Sequence, residues 1–189
     1  MKTFEYTNYD AYVKYQIDGN HRKVNKQLAY FDKFSHIEWI KSVKPEAKNI
    51  ICHGTRRGGE QQDFLKLYPD AYVIGTEISD TATQFPLTIE HDFNIQKQEW
   101  INKFDILYSN SFDHSFNIEK TIKVWADQMN KDGKMFIEWN IKGSAKSTSM
   151  DPVSGTIAQL RSFFIKNDIV VETEKSFPGE LVLFMCTPK

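Results

Sequence analysis

The sequence predicts an α/β fold: an open, doubly wound, mostly parallel sheet of seven strands with helices on both faces. An antiparallel C-terminal hairpin closes the sheet, and an N-terminal helical segment precedes it. Three observations predict this. From residue 49 onward short apolar runs alternate with helical patterns in βαβ proportions. The last two runs, DIVVETE (168 to 174) and ELVLFMC (180 to 186), are joined only by KSFPG, too short for a parallel crossover, so that pair must be antiparallel. The 189 residues suit one domain with a sizeable core, read as an N-terminal cap over 1 to 44 and a core over 45 to 189.

The elements follow in order. Val24, Leu28, Phe31, Phe34, Ile37 and Ile40 fall three or four apart, which predicts one amphipathic helix from about His21 to Val43, stopped by Pro45. NIICHG (49 to 54) reads as the first strand, EQQDFLKLY (60 to 68) as a helix and AYVIGTEI (71 to 78) as the second strand. LTIEHDF (87 to 93) and FDILYSN (104 to 110) are the third and fourth strands. Asn117 opens a helix whose buried face is Ile118, Ile122, Trp125 and Met129, and the turn KDG introduces the fifth strand, KMFIEWN (134 to 140). The stretch IKGSAKSTSMDPVSG (141 to 155) is a long polar loop, long enough to be functional, and Ile157, Leu160 and Phe163 or Phe164 resume a helical face beyond it.

Composition narrows the function. Lys plus Arg is 24 against 25 for Asp plus Glu, so no surface is built to neutralise phosphate backbones and nucleic acid is not the expected partner. Cys52 and Cys186 both lie in apolar strand-like runs, which suits reduced, packed thiols in a cytoplasmic setting. The N-terminus has no apolar signal core and no apolar run is long enough to cross a bilayer, so a soluble protein away from membranes is expected. Nothing in the sequence fixes an oligomeric state.

Ligands of such sheets bind beyond the carboxyl ends of the strands, where strand order reverses. That places function at residues 53 to 58, 77 to 79, 91 to 93, 109 to 114 and 139 to 155. Gly54, Gly58 and Gly59 permit positive φ and close approach of a ligand, and the helix after them offers unpaired N–H groups to an anion; a plain strand-to-helix turn accounts for the glycines equally well. Glu77, followed by Ile78, ends the second strand where a carboxylate can accept hydrogen bonds from ribose hydroxyls, whether of a nicotinamide cofactor or of another nucleoside. Asp92 and Phe93 end the third, an acid for an adenine amino group beside a ring to cover the base. The fourth ends in YSNSFDHS (108 to 115), a cluster of polar groups that packing does not explain. Tyr12 and Gln16, one helical turn apart, can close over a ligand or simply pack. Trp139 and Asn140 end the fifth strand as an acceptor wall, or pack under the loop that follows. The five histidines show no HxxxH or Cys/His ligand spacing, so no metal site is expected.

The order of glycine turn, acid after strand two, acid after strand three, polar motif after strand four and closing hairpin resembles the class I S-adenosylmethionine-dependent methyltransferases, over roughly residues 45 to 189. The resemblance implies a Rossmann-like fold and S-adenosyl-L-methionine as cofactor. It assigns the methionine part to His53, Gly54, Thr55, Arg56 and Gly58, the ribose to Glu77, the adenine to Asp92 and Phe93, and the methyl-transfer mouth to Ser109 and Asn110. The family's first motif has an acid and three alternate glycines; here those places hold Cys52, Gly54, Arg56 and Gly58. GTRRGGEQ is similar to the GTRNGAEQ form of a divergent subgroup, together with a YxxYxxxQ-like element at Tyr9, Tyr12 and Gln16 and a DPxG-like loop at Asp151, Pro152 and Gly155.

Two departures acquire meaning within that resemblance. Cys52 removes a carboxylate that Glu60, early in the next helix, can replace. Arg56 replaces a glycine and can pair with Glu60 or with the cofactor's carboxylate, since a guanidinium matches a carboxylate bidentately. For a hydroxyl or amine acceptor His114 is the first candidate base, with Asp113 beside it; adjacent side chains on an extended backbone point opposite ways, so Asp113 is not thereby its orienting partner. The fourth-strand motif lacks the Asn/Asp-Pro-Pro-aromatic sequence associated with base or amide methylation. A small-molecule, sugar or nucleotide-linked acceptor is expected. Two alternatives stand beside this: a non-catalytic S-adenosylmethionine-binding module, suggested by Cys52 and Arg56, and an NAD-dependent oxidoreductase, disfavoured by the hairpin and the broken GxGxxG.

Overall fold

The computed structural model describes residues 1–24 and 34–189. In chain order they form β1 (Lys2–Thr3), α1 (Tyr9–Val24), α2 (Phe34–Val43), β2 (Asn49–His53), α3 (Gly59–Leu67), β3 (Tyr72–Glu77) and β4 (Thr88–Glu90). There follow β5 (Phe104–Ser109), α4 (Ile118–Gln128), β6 (Met129–Asn140), β7 (Val153–Ser154), α5 (Ile157–Lys166), β8 (Ile169–Phe177) and β9 (Leu181–Pro188). A seven-stranded sheet runs in the order β4-β3-β2-β5-β6-β9-β8. β2 to β6 are mutually parallel, and β9 runs antiparallel to both β6 and β8. Strand order reverses between β2 and β5, where His53 pairs with Ser109. The glycine turn is thereby set beside the YSNSFDHS edge, at the position where such sheets bind ligands.

Alternation along β2 builds the two layers. Ile51 faces a core with Trp125 of α4 and Phe164 of α5, while Ile50 and Cys52 face another with Ile37 and Ile40 of α2 and Phe64 of α3. Each such side chain, fully buried, contributes about 1.5–3 kcal/mol. α4 is capped by Asn117, whose Oδ1 accepts from Lys120 N at 3.0 Å, as the sequence predicts. A reciprocal Thr156–Gln159 capping box opens α5. Both cysteines are free and buried, and burial raises both thiols, so they pack as neutral groups. No described helix is long and apolar enough to cross a membrane.

Several boundaries differ from expectation. The single helix expected from His21 to Val43 is represented by the end of α1 and the whole of α2, and its middle, 25 to 33, lies outside the described residues. α1 starts at Tyr9 after Asn8, whose Oδ1 accepts from Ala11 N at 2.8 Å, and its buried face of Tyr12, Gln16, Gly19 and Asn20 is a largely polar stripe that apolar periodicity does not mark. The third strand shortens to Thr88–Glu90. KDG is not a turn before β6 but part of it, opposite a register shift between Phe104 and Ile106. A Cβ on Gly133 would lie 2.6 Å from the Phe104 carbonyl oxygen, so the bulge needs glycine. The polar loop 141 to 155 contains β7, which pairs with β1 and fastens the N-terminal segment across it.

Candidate functional site

Two adjoining cavities open at the carboxyl ends of β2, β3 and β5. The larger, about 550 Å³, is lined by Gly54, Thr55, Arg56, Glu60, Asn110, Asp113 and His114 among the residues the sequence selects. The smaller, about 60 Å³, is lined by Tyr12, Gln16, Glu77, Ile78, Asp92 and Phe93. They share Lys23, Gly54, Arg56, Ser111 and His114.

The turn after β2 is held by its backbone. Gly54 N and Thr55 N both donate to Thr76 O, at 2.9 and 3.0 Å, which bends the chain back over β3. Gly54 has φ +73°, and a Cβ there would lie 2.5 Å from Ser111 Cβ, so only glycine lets the two strand ends approach. Arg56 occupies the same left-handed region at φ +47° with a full side chain, a conformation costing about 1 kcal/mol or more. Its backbone N–H donates to Glu77 Oε2 at 3.1 Å, while Ser79 N donates to Oε1 at 3.2 Å. Burial raises the Glu77 carboxyl, offset in part by the Ser79 hydrogen bond and the Arg56 charge.

At the end of β4, Asp92 Oδ1 accepts from Asn94 N (2.8 Å) and Asn94 Nδ2 (2.6 Å), and Oδ2 accepts from the Tyr9 hydroxyl. Burial and the Asp92 carboxylate keep that phenol protonated well above the usual range. Asn94 also donates to the Tyr12 hydroxyl at 2.8 Å. Tyr12 packs edge-on or tilted against Tyr6, Tyr9 and Phe116, and its ring is buried, so packing and cavity lining are both its work.

The polar edge after β5 gathers the remaining groups. Gln16 Nε2 donates to Met150 O at 3.1 Å, which turns its Oε1 toward His114 Nδ1 at 3.0 Å. Nδ1 therefore donates to Gln16, and Nε2 is the ring nitrogen turned toward the cavity's carboxylates. Asp151 Oδ1 lies 3.3 Å from that Nε2 and Asp113 Oδ1 3.9 Å. The carboxylate nearest His114 thus comes from the DPxG-like loop and not from its chain neighbour. Burial, partly offset by His114, raises the Asp113 carboxyl, and Ser144 Oγ donates to it at 3.3 Å. Asp113, His114 and Asp151 each present one atom within 4.8 Å of the other two, a spacing a metal ion also fits; ligand spacing in the sequence misses it because Asp151 arrives from a distant loop. Asn110 Nδ2 donates to Glu60 Oε1 at 3.1 Å, and Ser111 Oγ donates to Gly54 O at 3.1 Å.

Three selected residues lie outside both cavities. His53 is fully buried on the α4 side, stacked on Trp125 with centroids 5.1 Å apart. Its Nε2 and Nδ1 meet Gln128 Oε1 and Thr76 Oγ1, both at 2.9 Å, and burial lowers its pKa to about 3. It lines neither cavity, because alternation along β2 sends it into the sheet face. Ser109 Oγ donates to His53 O at 3.0 Å and accepts from Ser111 N, closing the strand end. Gly58 is the left-handed N-cap of α3. Conversely, Lys23, Arg57 and Glu138 line the larger cavity without being marked by the sequence, and Ser111 of the YSNSFDHS edge and Asn140 join them there. Trp139 packs under the loop, donating from Nε1 to Gly155 O at 3.1 Å.

The sheet order, the closing hairpin and the strand-end site define a class I methyltransferase-type, Rossmann-like fold. Comparison with protein-family models finds no match, and comparison with curated protein sequences finds none. Among solved structures the chain is similar to 1,6-didemethyltoxoflavin-N1-methyltransferase of Burkholderia thailandensis, determined with 1,6-didemethyltoxoflavin and S-adenosylhomocysteine. The TM-score is 0.74 at 10% identity, over 99% of this chain and 93% of that one. A TehB-like S-adenosylmethionine-dependent methyltransferase of Corynebacterium glutamicum gives 0.63 at 13% identity, over 96% and 100%. The glycopeptide N-methyltransferase MtfA with sinefungin gives 0.67 at 10% identity, over 91% and 96%. At these identities the likeness establishes the fold.

Proposed function

We propose that the chain is an S-adenosylmethionine-dependent methyltransferase acting on a small-molecule, sugar or nucleotide-linked acceptor. One observation carries this reading: Gly54, Glu77 and Asp92, from three successive parallel strand ends, line adjoining cavities at the sheet's switch point. The residues fit the cofactor chemically. Glu77 suits ribose hydroxyls, Asp92 an adenine amino group with Phe93 and Ile78 against the base, and Arg56 the methionine carboxylate. Similar folds hold S-adenosylhomocysteine or sinefungin, which supports the same ligand here.

The cofactor supplies a methyl group on a sulfonium sulfur, and the chain's own work is alignment and proton removal. The larger cavity receives the acceptor against Asn110 and Asn140. His114 takes the acceptor's proton at Nε2, with Nδ1 held by Gln16; Asp113 and Asp151 stabilise the resulting imidazolium. Cys52 contributes packing only, and Glu60 holds Asn110 in its place.

Calorimetry tests the reading: S-adenosylmethionine and S-adenosylhomocysteine should each bind with Kd below about 1 mM. Binding of neither would sink it. An NADH fluorescence titration should show no saturable binding, and saturation would favour the oxidoreductase.

A further inference from the structure

We propose that Arg57 and Lys23 recognise an anionic group on the methyl acceptor, a phosphate ester or similar oxyanion, beside Arg56. The proposal rests on the methyltransferase reading and names the acceptor class of that site.

Lys23 at the end of α1 and Arg56 and Arg57 in the turn before α3 all line the larger cavity. Among the described residues none of the three lies in an ion pair with a carboxylate. The cavity's acids, in contrast, are engaged with protein groups. Asn110 donates to Glu60, Tyr108 and His36 hold Glu138, Ser144 donates to Asp113, and Asp151 lies against His114. Each of these carboxylates thus has a protein partner, whereas the three cations have no carboxylate partner among the described residues.

Arg57 is the most telling of the three. Its Nη2 donates to Val24 O at 3.2 Å, which sets the guanidinium against the end of α1 next to Lys23, and its Nε is buried without an acceptor. A buried guanidinium N–H lacking an acceptor is costly, and the planar fork is shaped for an oxyanion. Burial and the nearby Arg56 charge lower the Lys23 ammonium, with Asp151 and Asp113 opposing in part, so Lys23 and Arg56 lie close enough to act on one group. The cofactor's one carboxylate can engage Arg56, but its sulfonium and ammonium add positive charge. An anionic acceptor offsets what remains, and a cationic acceptor does not.

The test is a calorimetric titration of inorganic pyrophosphate into protein saturated with S-adenosylhomocysteine, with phenyl phosphate titrated in parallel. Both should bind with Kd below about 1 mM, weakened at least about tenfold in Arg57→Gln and in Lys23→Gln. S-adenosylhomocysteine affinity should stay within about twofold of wild type in Arg57→Gln, whose side chain lines the larger cavity alone. Neither the Arg57 nor the Lys23 side chain belongs to the fully buried core, so both variants should keep the wild-type circular dichroism. The proposal is overturned by absence of binding up to about 10 mM, by equal binding in both variants, or by binding of pyrophosphate but not of the ester. Competition between pyrophosphate and S-adenosylhomocysteine also overturns it, since the cations would then serve the cofactor. Failure of S-adenosylhomocysteine to bind at all is seen separately, at the saturation step, and overturns the methyltransferase reading and this proposal with it.

Discussion

The backbone N–H of Arg56 donates to the carboxylate of Glu77 across 3.1 Å, joining the altered glycine turn to the acid that ends the next parallel strand. The turn that departs from the family pattern at Cys52 and Arg56 is thus built around the carboxylate assigned to the ribose. Because the contact uses the main chain, the Arg56 side chain is left for another partner.

Arg56→Gly separates conformation from recognition. Glycine relieves the left-handed φ of +47° and should stabilise the fold by about 1 kcal/mol. Loss of the guanidinium should weaken S-adenosylhomocysteine about tenfold. Denaturation and calorimetry on one preparation read both effects, and unchanged affinity would return the side chain to solvent.

Met150 should govern cofactor entry. The smaller cavity, about 60 Å³, has room for about two waters, far less than a nucleoside needs. Met150 closes it, packed so tightly on α1 that a Cβ at Gly19 would lie 1.8 Å from its Cε. Met150→Ala should raise the association rate of S-adenosylhomocysteine several-fold in stopped-flow fluorescence; an unchanged rate would place the opening elsewhere.

Stability should fall with acidification through His53. Its pKa is about 3 in the fold and ordinarily 6.5, so between those values the unfolded chain binds the extra proton. The contribution is complete above pH 6.5 and is lost as pH drops toward 3, by about 1.4 kcal/mol per pH unit. Urea denaturation of wild type and His53→Gln should show a gap that narrows from pH 7 to pH 5, and a constant gap would contradict the buried neutral imidazole.

Asp105 should behave in the usual carboxylate sense. Burial alone would raise it, but hydrogen bonds from Asn49 N, Lys48 N and Asn130 Nδ2, at 2.6 to 2.8 Å, bring it below its ordinary value. Asp105→Asn should cost about 1–3 kcal/mol at pH 7, measured by urea denaturation. That penalty should vanish as pH falls below 3.8 through the depressed folded value.

The sheet was legible because strands such as Ile50–Cys52 and Ile106–Tyr108 are apolar runs with punctuated ends, and the short KSFPG link fixed the hairpin's direction. The strand-end acids Glu77 and Asp92 were legible from position alone. The helical spacing of Tyr12 and Gln16 was legible but the extent of α1 was not, because Gln16 and Asn20 face inward through hydrogen bonds that hydropathy does not register. His53 lines neither cavity because, as the last residue of β2, its side chain follows the strand's alternation into the sheet face beside Trp125, which position at a strand end alone does not reveal. The pairing of His114 with Asp151 depends on the long loop's path, which nothing local specifies.

The most direct measurement is a crystal structure with S-adenosylhomocysteine bound. The account predicts ribose hydroxyls on Glu77, the adenine amino group at Asp92, the carboxylate at Arg56 and the sulfur facing the cavity of Asn110 and His114. A ligand bound elsewhere, or bound there with Glu77 still turned only to Arg56 N and Ser79 N, would contradict it.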